Sequence, residues 1–244
     1  MKTIKNRNKR VKKLKGGSIT NDEPFSRIIK LNHKIYGDIY TFGDKDFIGS
    51  AIKNGDIWEE ELCQKMAKYY KEGTDILDIG ANIGLNPLRV DQINKITGTV
   101  HLFEPQSDAF FLLNLNTQTL NRKLYNVALS DNYGTISYTQ DKGNIGATRI
   151  KNSNTNNKEL ITILSCKLDT FNFDNKISLI KMDIEENEIK VLKGAEQTIK
   201  KHMPTIIIET FEQQYKTVEK ILLDLGYKVE EVMEGSNYVF VPKV

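Results

Sequence analysis

Asp78-Ile79-Gly80-Ala81-Asn82-Ile83-Gly84 is the stretch that decides the fold. It closes a short apolar run, 74–79, and opens an apolar-periodic stretch, 85–96, with Pro87 near the first turn, where a missing N–H costs little. Strand, glycine turn and helix in that order open a ligand-binding α/β sheet. Glycine lets the backbone approach a ligand, and asparagine is among the few other residues that tolerate φ > 0. The spacing is Gly-x-x-x-Gly, not the Gly-x-Gly-x-x-Gly that seats a pyrophosphate on a helix N-terminus. Asp78, just before the turn, would repel a pyrophosphate but suits an ammonium or a hydroxyl partner. The reading is therefore a cationic nucleoside ligand rather than a nicotinamide dinucleotide. A second run, 100–103, ends in Phe103-Glu104-Pro105. A carboxylate at that strand end can accept both hydroxyls of a ribose.

Outward from this centre, strands and helices alternate. Apolar periodicity places helices over 57–70, 107–120, 188–201 and 212–225. Ser107 is the expected cap of the second, with Asp108 in its first turn, and Gly226 closes the last. Strands are expected over 124–129, 177–182 and 205–209, with a closing hairpin over 227–232 and 237–241. Repeated β-α-β units of short apolar strands specify a mostly parallel sheet covered on both faces, with right-handed crossovers. Residues 25–48 read as an antiparallel ribbon. Between the third and fourth strands lies a polar insertion: a hairpin near 135–139, an Asn-, Lys- and Gly-rich stretch over 140–158, and a strand over 161–166. The middle stretch has little to bury and reads as a lid or acceptor-specificity loop, with a plain spacer as the alternative. The expected division is a disordered basic arm over 1–20, a β-rich lead-in over 21–55 and the main domain over 56–244.

Composition narrows the function. With 244 residues, 39% hydrophobic and 27% charged, the chain can build a real core. No run reaches the roughly 18 apolar residues of a spanning helix, and the basic N-terminus lacks the apolar segment of a secretory signal. The expectation is a soluble intracellular protein, cytoplasmic or, through its basic arm, nuclear. Cys63 and Cys166 make no CxxC pair, and His33, His101 and His202 form no metal-spaced cluster, so no metal is expected. Residues 1–17 carry eight of the 35 basic side chains and no acid, which leaves 27 basic against 32 acidic elsewhere, a net −5. Nucleic-acid binding, if any, then belongs to residues 1–17, because an acidic body is a poor match for a polyanion.

An ordered series of motifs carries a resemblance. Trp58-Glu59-Glu60-Glu61, Ile76–Gly84, Leu102-Phe103-Glu104-Pro105, Asn126-Val127-Ala128-Leu129-Ser130, Leu168-Asp169-Thr170-Phe171, Ile180-Lys181-Met182-Asp183-Ile184-Glu185, Val191-Leu192-Lys193-Gly194-Ala195 and Ile208-Glu209 follow one another without large gaps. Over roughly residues 56–230 the chain resembles the FkbM-type methyltransferases, S-adenosylmethionine-dependent O-methyltransferases of the Rossmann-like class. The resemblance implies a class I methyltransferase fold: an α/β protein with a mostly parallel seven-stranded sheet and a C-terminal antiparallel hairpin. It also implies S-adenosyl-L-methionine as cofactor and a hydroxyl of a sugar, glycan or small metabolite as acceptor.

By the same resemblance, Asp78, Gly80, Asn82 and Gly84 would hold the methionine end and backbone of the cofactor. Glu104 would take the ribose hydroxyls, and Asn126 to Ala128 would border the adenine. Asp183 and Glu185 would be the catalytic pair facing the methyl group and the acceptor, with Glu59 and Glu186 on the substrate side. Lys181, on the same strand, is expected to face a helix or solvent. Glu186 stands where the family pattern has glycine. Two readings stand for it: a bulkier, more negative acceptor site, or the first residue of a helix, where a carboxylate suits the dipole.

Methyl transfer from a sulfonium needs alignment and a deprotonated oxygen. Asp183 would act as general base or orient the hydroxyl. Base methylation is disfavoured: the fourth strand ends in Lys181-Met182-Asp183-Ile184 rather than Asn/Asp-Pro-Pro-Tyr/Phe, and neither cysteine follows a proline. The alternatives are 2′-O methylation of RNA through the basic arm and a cofactor-binding protein without turnover. The sequence sets neither the acceptor nor the oligomeric state.

Overall fold

A computed structural model describes residues 28–43, 46–139 and 160–243. The basic arm and the stretch 140–158, read above as a lid, lie outside the described residues. A central sheet of seven strands has the order β11-β12-β10-β9-β3-β4-β5. Its members are β3 (Asp75–Ile79), β4 (Val100–Phe103), β5 (Arg122–Tyr125), β9 (Ile177–Met182), β10 (Thr205–Glu209), β11 (Tyr227–Val232) and β12 (Asn237–Pro242). The pairs β3–β4, β4–β5, β3–β9 and β9–β10 are parallel, while β12 runs antiparallel to both β10 and β11. The expected seven-stranded sheet with a terminal antiparallel hairpin is the observed one.

The strands carry two apolar faces because both are covered. Leu77, Ile79, Phe103, Ile180, Met182, Ile206 and Ile208 pack in one core cluster together with Val191 and Leu192 of α5 (Glu188–Gly194) and Val218 and Leu222 of α7 (Glu212–Asp224). Ile76, Val100, Leu102, Leu179 and Ile207, the alternating positions, pack with Leu62, Cys63 and Met66 of α2 (Glu60–Tyr69) and Val90 of α3 (Leu85–Ile93). The period-two alternation of strand side chains produces the division. At β3–β9 the strand order reverses, the place where such sheets bind ligands outside their carboxyl ends.

Several boundaries depart from expectation. The lead-in is not a ribbon throughout: β1 (Ile29–His33) and β2 (Gly37–Thr41) pair antiparallel, but Phe47–Asn54 is a helix, α1, capped by the Asp46 side chain on Gly49 N. The hairpin joins the main body through Asn116, whose amide donates to Tyr40 O and accepts from Tyr40 N. Helix α4 runs Ser107–Asn116; Gln106, not Ser107, is its cap residue, with its N–H donating to Glu104 Oε1. The expected strand over 124–129 splits, because Ala128–Leu129 leaves the sheet as β6 and pairs with β8 (Leu160–Cys166). No hairpin turns within 135–139; that segment belongs to one strand, β7 (Gly134–Thr139), paired antiparallel with β8.

The expected helix over 188–201 is two. It breaks at Ala195 between α5 and α6 (Glu196–His202). The cause is distant in sequence: Asp169 accepts from Gln197 N and Thr198 N and so caps a new helix. Gly194, just before the break, approaches Ser130 O so closely that a Cβ there would stand 2.0 Å from it.

Candidate active site

The carboxyl ends of β3, β4, β9 and β10 open onto a cleft of about 280 Å³. Its floor is the glycine turn after β3. Gly80 has φ +82, Asn82 φ +49 and Gly84 φ +89, as the glycine and asparagine pattern requires. Gly80 N and Ala81 N donate to Phe103 O, tying the turn to the end of β4. A Cβ on Gly80 would lie 1.9 Å from Asp183 O, and one on Gly84 2.5 Å from Thr117 Cγ2. The two glycines thus serve close packing against β9 and α4 as well as the turn itself.

Glu104 ties the turn to β4. The residue is 4% exposed, and its carboxylate accepts from Asn82 N through Oε2 and from Gln106 N through Oε1. Burial pushes its carboxyl up to about 7 against the pull of those two N–H groups. Each oxygen keeps a lone pair for a hydroxyl donor. Asn126 donates to Glu104 O and Pro105 O, so it fixes the strand end from behind, while Val127, Ala128 and Leu129 line the cleft. The side-chain oxygen of Asn82 is buried without a hydrogen-bond partner among the described residues.

The other end is acidic. Asp183, Glu185 and Glu209 follow β9 or end β10 and line the cleft together with Glu59, Trp58 and Phe47. Glu59 accepts from the buried Asn86 amide, and Trp58 meets Phe47 edge to face at 5.7 Å. Burial first, then the charge and hydrogen bond of Asp183, pushes Glu209 well above the usual carboxylate range.

Lys181 meets one half of its expectation, the helix-covered face, and departs from the other. It begins on the face of the sheet covered by α2 and α3 but is buried rather than solvated, 4% exposed, and its ammonium turns into the cleft wall. Nζ donates to Gly80 O at 2.9 Å and lies 3.4 Å from Asp78 Oδ1 and 3.6 Å from Asp183 Oδ2. Burial opposes its charge, yet Asp78, Asp183 and Glu59 outweigh burial and hold the ammonium above its usual range. Asp78, directly opposite in the β3–β9 register, is fully buried and pushed up to about 6 by burial, against the pull of Lys181.

Of the sequence-chosen residues, the fold brings Gly80, Asn82, Glu104, Ala128, Asp183, Glu185 and Glu59 to the cleft wall. It does not bring Asp78, Gly84, Asn126 or Glu186 there. Asp78 reaches the cleft only through Lys181, Gly84 packs against α4, and Asn126 supports Glu104. Glu186 is neither a wall of the cleft nor the start of a helix: α5 begins at Glu188, whose Oε1 accepts from Glu186 N. Glu185 and Glu186 both hold left-handed backbone, φ +54 and φ +76.

A non-glycine residue held left-handed costs roughly 1–2 kcal/mol. Glu186→Gly is expected to stabilise the protein by about 1 kcal/mol, read as a higher denaturation midpoint at unchanged slope. An unchanged midpoint would show that the Glu186 side chain offsets its backbone, and a lower one that it more than does.

Lys181 and Glu209 were not assigned by sequence reasoning. Both left a signal: a lysine inside a largely apolar strand run, and a carboxylate at a strand's carboxyl end, the same signal that found Glu104. Among the described residues no group of three His, Cys, Asp or Glu is placed to hold a metal ion, and no helix is long and apolar enough to cross a membrane.

A seven-stranded sheet with this order, a glycine turn after its first parallel strand and an acid ending the next define the Rossmann-like methyltransferases. The chain belongs to the FkbM methyltransferase family: the model of the methyltransferase FkbM domain matches residues 78–229. S-adenosylmethionine is the cofactor that this family and fold imply. Among solved structures, an FkbM methyltransferase from Methylobacillus flagellatus KT is similar, with 16% identity, a TM-score of 0.50 and coverage of 80% of this chain and 53% of that one. The chain thus spans about half the length of that relative. A TehB-like SAM-dependent methyltransferase from Corynebacterium glutamicum (10% identity, TM-score 0.48, 80% and 93% covered) is a further neighbour. So is a ribosomal protein L11 methylase from Lactobacillus delbrueckii (11%, 0.48, 75% and 78%). No curated protein matches the chain.

Proposed function

We propose that this protein transfers a methyl group from S-adenosylmethionine to a hydroxyl of a sugar, glycan or small metabolite. One observation carries the reading: a single cleft joins the buried strand-end carboxylate Glu104 to an acidic end walled by Trp58, Asp183 and Glu185. The lining fits the cofactor, whose sulfonium and ammonium suit acidic walls and whose ribose hydroxyls suit Glu104. When bound, S-adenosylmethionine supplies an electrophilic methyl group. Asn82 and Gly80 would border its methionine end, Ala128 its adenine, and Asp183 would face the acceptor. The basic arm over 1–20, the lead-in over 21–55 and the methyltransferase domain over 56–244 remain our division of the chain.

Hydroxyl acceptors are favoured over pyrimidine carbons. Burial pushes the thiols of Cys63 and Cys166 up, away from the thiolate a nucleophile needs. RNA 2′-O methylation is the second reading, favoured by the eight basic side chains of residues 1–17. It requires binding that weakens steeply with salt. Radiolabelled S-adenosylmethionine incubated with a panel of methyl glycosides, and separately with RNA, tests both. Methyl ethers of the glycosides are expected; label in RNA alone favours the second reading, and cofactor binding without label in either leaves a binding protein.

Cofactor binding is expected to strengthen as pH rises through about 7. The free Glu104 carboxyl sits near that value, and hydroxyl donors favour its ionised form, so binding lowers its pKa and releases a proton. Titration calorimetry in two buffers of different ionisation heat measures that proton. Proton uptake near pH 7 would remove Glu104 from the ribose.

A further inference from the structure

Resting on the hydroxyl-acceptor reading, we propose that Glu209 is a further catalytic residue, the base that takes the acceptor's proton, with Lys181 as the positioning residue that holds its neighbour Asp183. The backbone places the two carboxyls together. Strand β9 pairs parallel with β10 up to Met182 opposite Ile208, so Asp183 and Glu209 are the next residues on adjacent strands. Both line the cleft at its acceptor end. Asp183 is held from two sides: its N–H donates to Ile79 O, and its carboxylate has Lys181 Nζ at 3.6 Å. Lys181 is in turn fixed by Gly80 O and by Asp78. Glu209, by contrast, pairs by backbone with Asn237 of β12, which leaves its side chain to the cleft.

An ordinary carboxylate, pKa about 4, is a weak base for an alcohol. Glu209 is not ordinary. Facing it are Lys181 of β9, Asp183 just after that strand and Glu59 from the turn before α2, with Asp78 of β3 behind Lys181 and Glu185 and Glu104 on the same cleft wall. Burial, Asp183 and Glu59 raise its proton affinity, and Lys181 lowers it. A carboxylate so raised holds a proton well once it has taken one, which an aspartate in water does not. In the reaction the acceptor oxygen bonds to the methyl carbon and the carbon–sulfur bond breaks with its electron pair left on sulfur. The hydroxyl proton passes to the ionised Glu209 and leaves to water after product release. Asp183 accepts no proton in this scheme; its charge raises Glu209, which takes the one hydrogen the hydroxyl donates.

Two measurements on the full chain test the assignment. In protein labelled with carbon-13 at glutamate carboxyls, the signal lost in Glu209→Gln is expected to titrate well above the ordinary glutamate range and to move down in Asp183→Asn. A Glu209 signal in the ordinary range, or one indifferent to Asp183→Asn, overturns the pairing. With tritiated S-adenosylmethionine and the methyl glycosides of glucose, galactose, mannose and rhamnose, wild-type kcat is expected to rise with pH and level off. Glu209→Gln should lower kcat by about 100-fold and flatten that rise, with cofactor affinity kept. Lys181→Met should move the rise to higher pH and Lys181→Arg restore it, a displacement that a purely structural lysine does not produce. Turnover by Glu209→Gln equal to wild type across pH overturns the base assignment alone. A wild type that methylates none of the glycosides rejects the sugar-hydroxyl reading and the base with it, even where the titration shows the pair.

Discussion

Glu104→Ala is expected to weaken S-adenosylmethionine binding by 100-fold or more while the protein still folds. The carboxylate has two tasks, and alanine performs neither. It offers lone pairs to two ribose hydroxyls, and hydrogen bonds to a charged group are worth about 1.5–3 kcal/mol each. With tenfold in affinity for every ~1.4 kcal/mol, two such bonds account for at least 100-fold. It also accepts from Asn82 N and Gln106 N, so its loss frees the glycine turn and the start of α4 together. Calorimetric titration of the variant, with thermal unfolding as the check on folding, reads the effect. An affinity within a few-fold of wild type would move the ribose elsewhere in the cleft. Asp78→Ala should act differently, because Asp78 meets the cleft through Lys181.

Lys181→Met is expected to cost about 3–5 kcal/mol of stability at pH 8, the usual penalty for removing one partner of a buried ion pair. Asp78, with no exposed surface, would be left as a buried charge whose nearest cation is gone. The sign of the pH dependence follows from the direction of its shift. Its folded pKa, about 6 with Lys181 present, already lies above the unfolded value and rises further without the lysine. A raised carboxyl contributes stability below its unfolded pKa and loses it as pH climbs through the folded one. The deficit of the variant should therefore be smaller at pH 5, where Asp78 is protonated in the fold, than at pH 8. Urea unfolding at both values measures it, and Lys181→Met combined with Asp78→Asn should recover most of the loss. An equal deficit at the two pH values would assign the lysine's contribution to packing of its stem.

The acidic end explains why a lysine is kept there at all. Five carboxylates, Glu59, Glu104, Asp183, Glu185 and Glu209, share the wall of one small cleft. Among the described residues Lys181 is the one cation on that wall; it limits their mutual repulsion and leaves a net negative lining, which suits a cationic cofactor.

By itself the sequence determined the sheet, the turn and the first carboxylate. Runs such as Ile177–Met182 and Thr205–Glu209 carry Ile, Leu and Met at successive positions because both faces of a parallel strand are buried, and that leaves a signal local enough to read. The glycine turn is equally local, since Gly80 and Gly84 are demanded by φ values that few other residues adopt. Tertiary contacts decided the rest. Helix 188–201 is continuous by period, yet Asp169, far back in the chain, caps a second helix inside it. Glu186 itself does not announce the left-handed backbone it holds; the family's glycine at that position was the one hint of it. Lys181 reads as a charge bound for a helix or water; only the register of β9 between β3 and β10 sets it opposite Asp78 and beside Asp183. Strand period and apolar pattern are properties of neighbouring residues, whereas the partners of a buried charge are chosen by strand register, which brings together residues about a hundred positions apart.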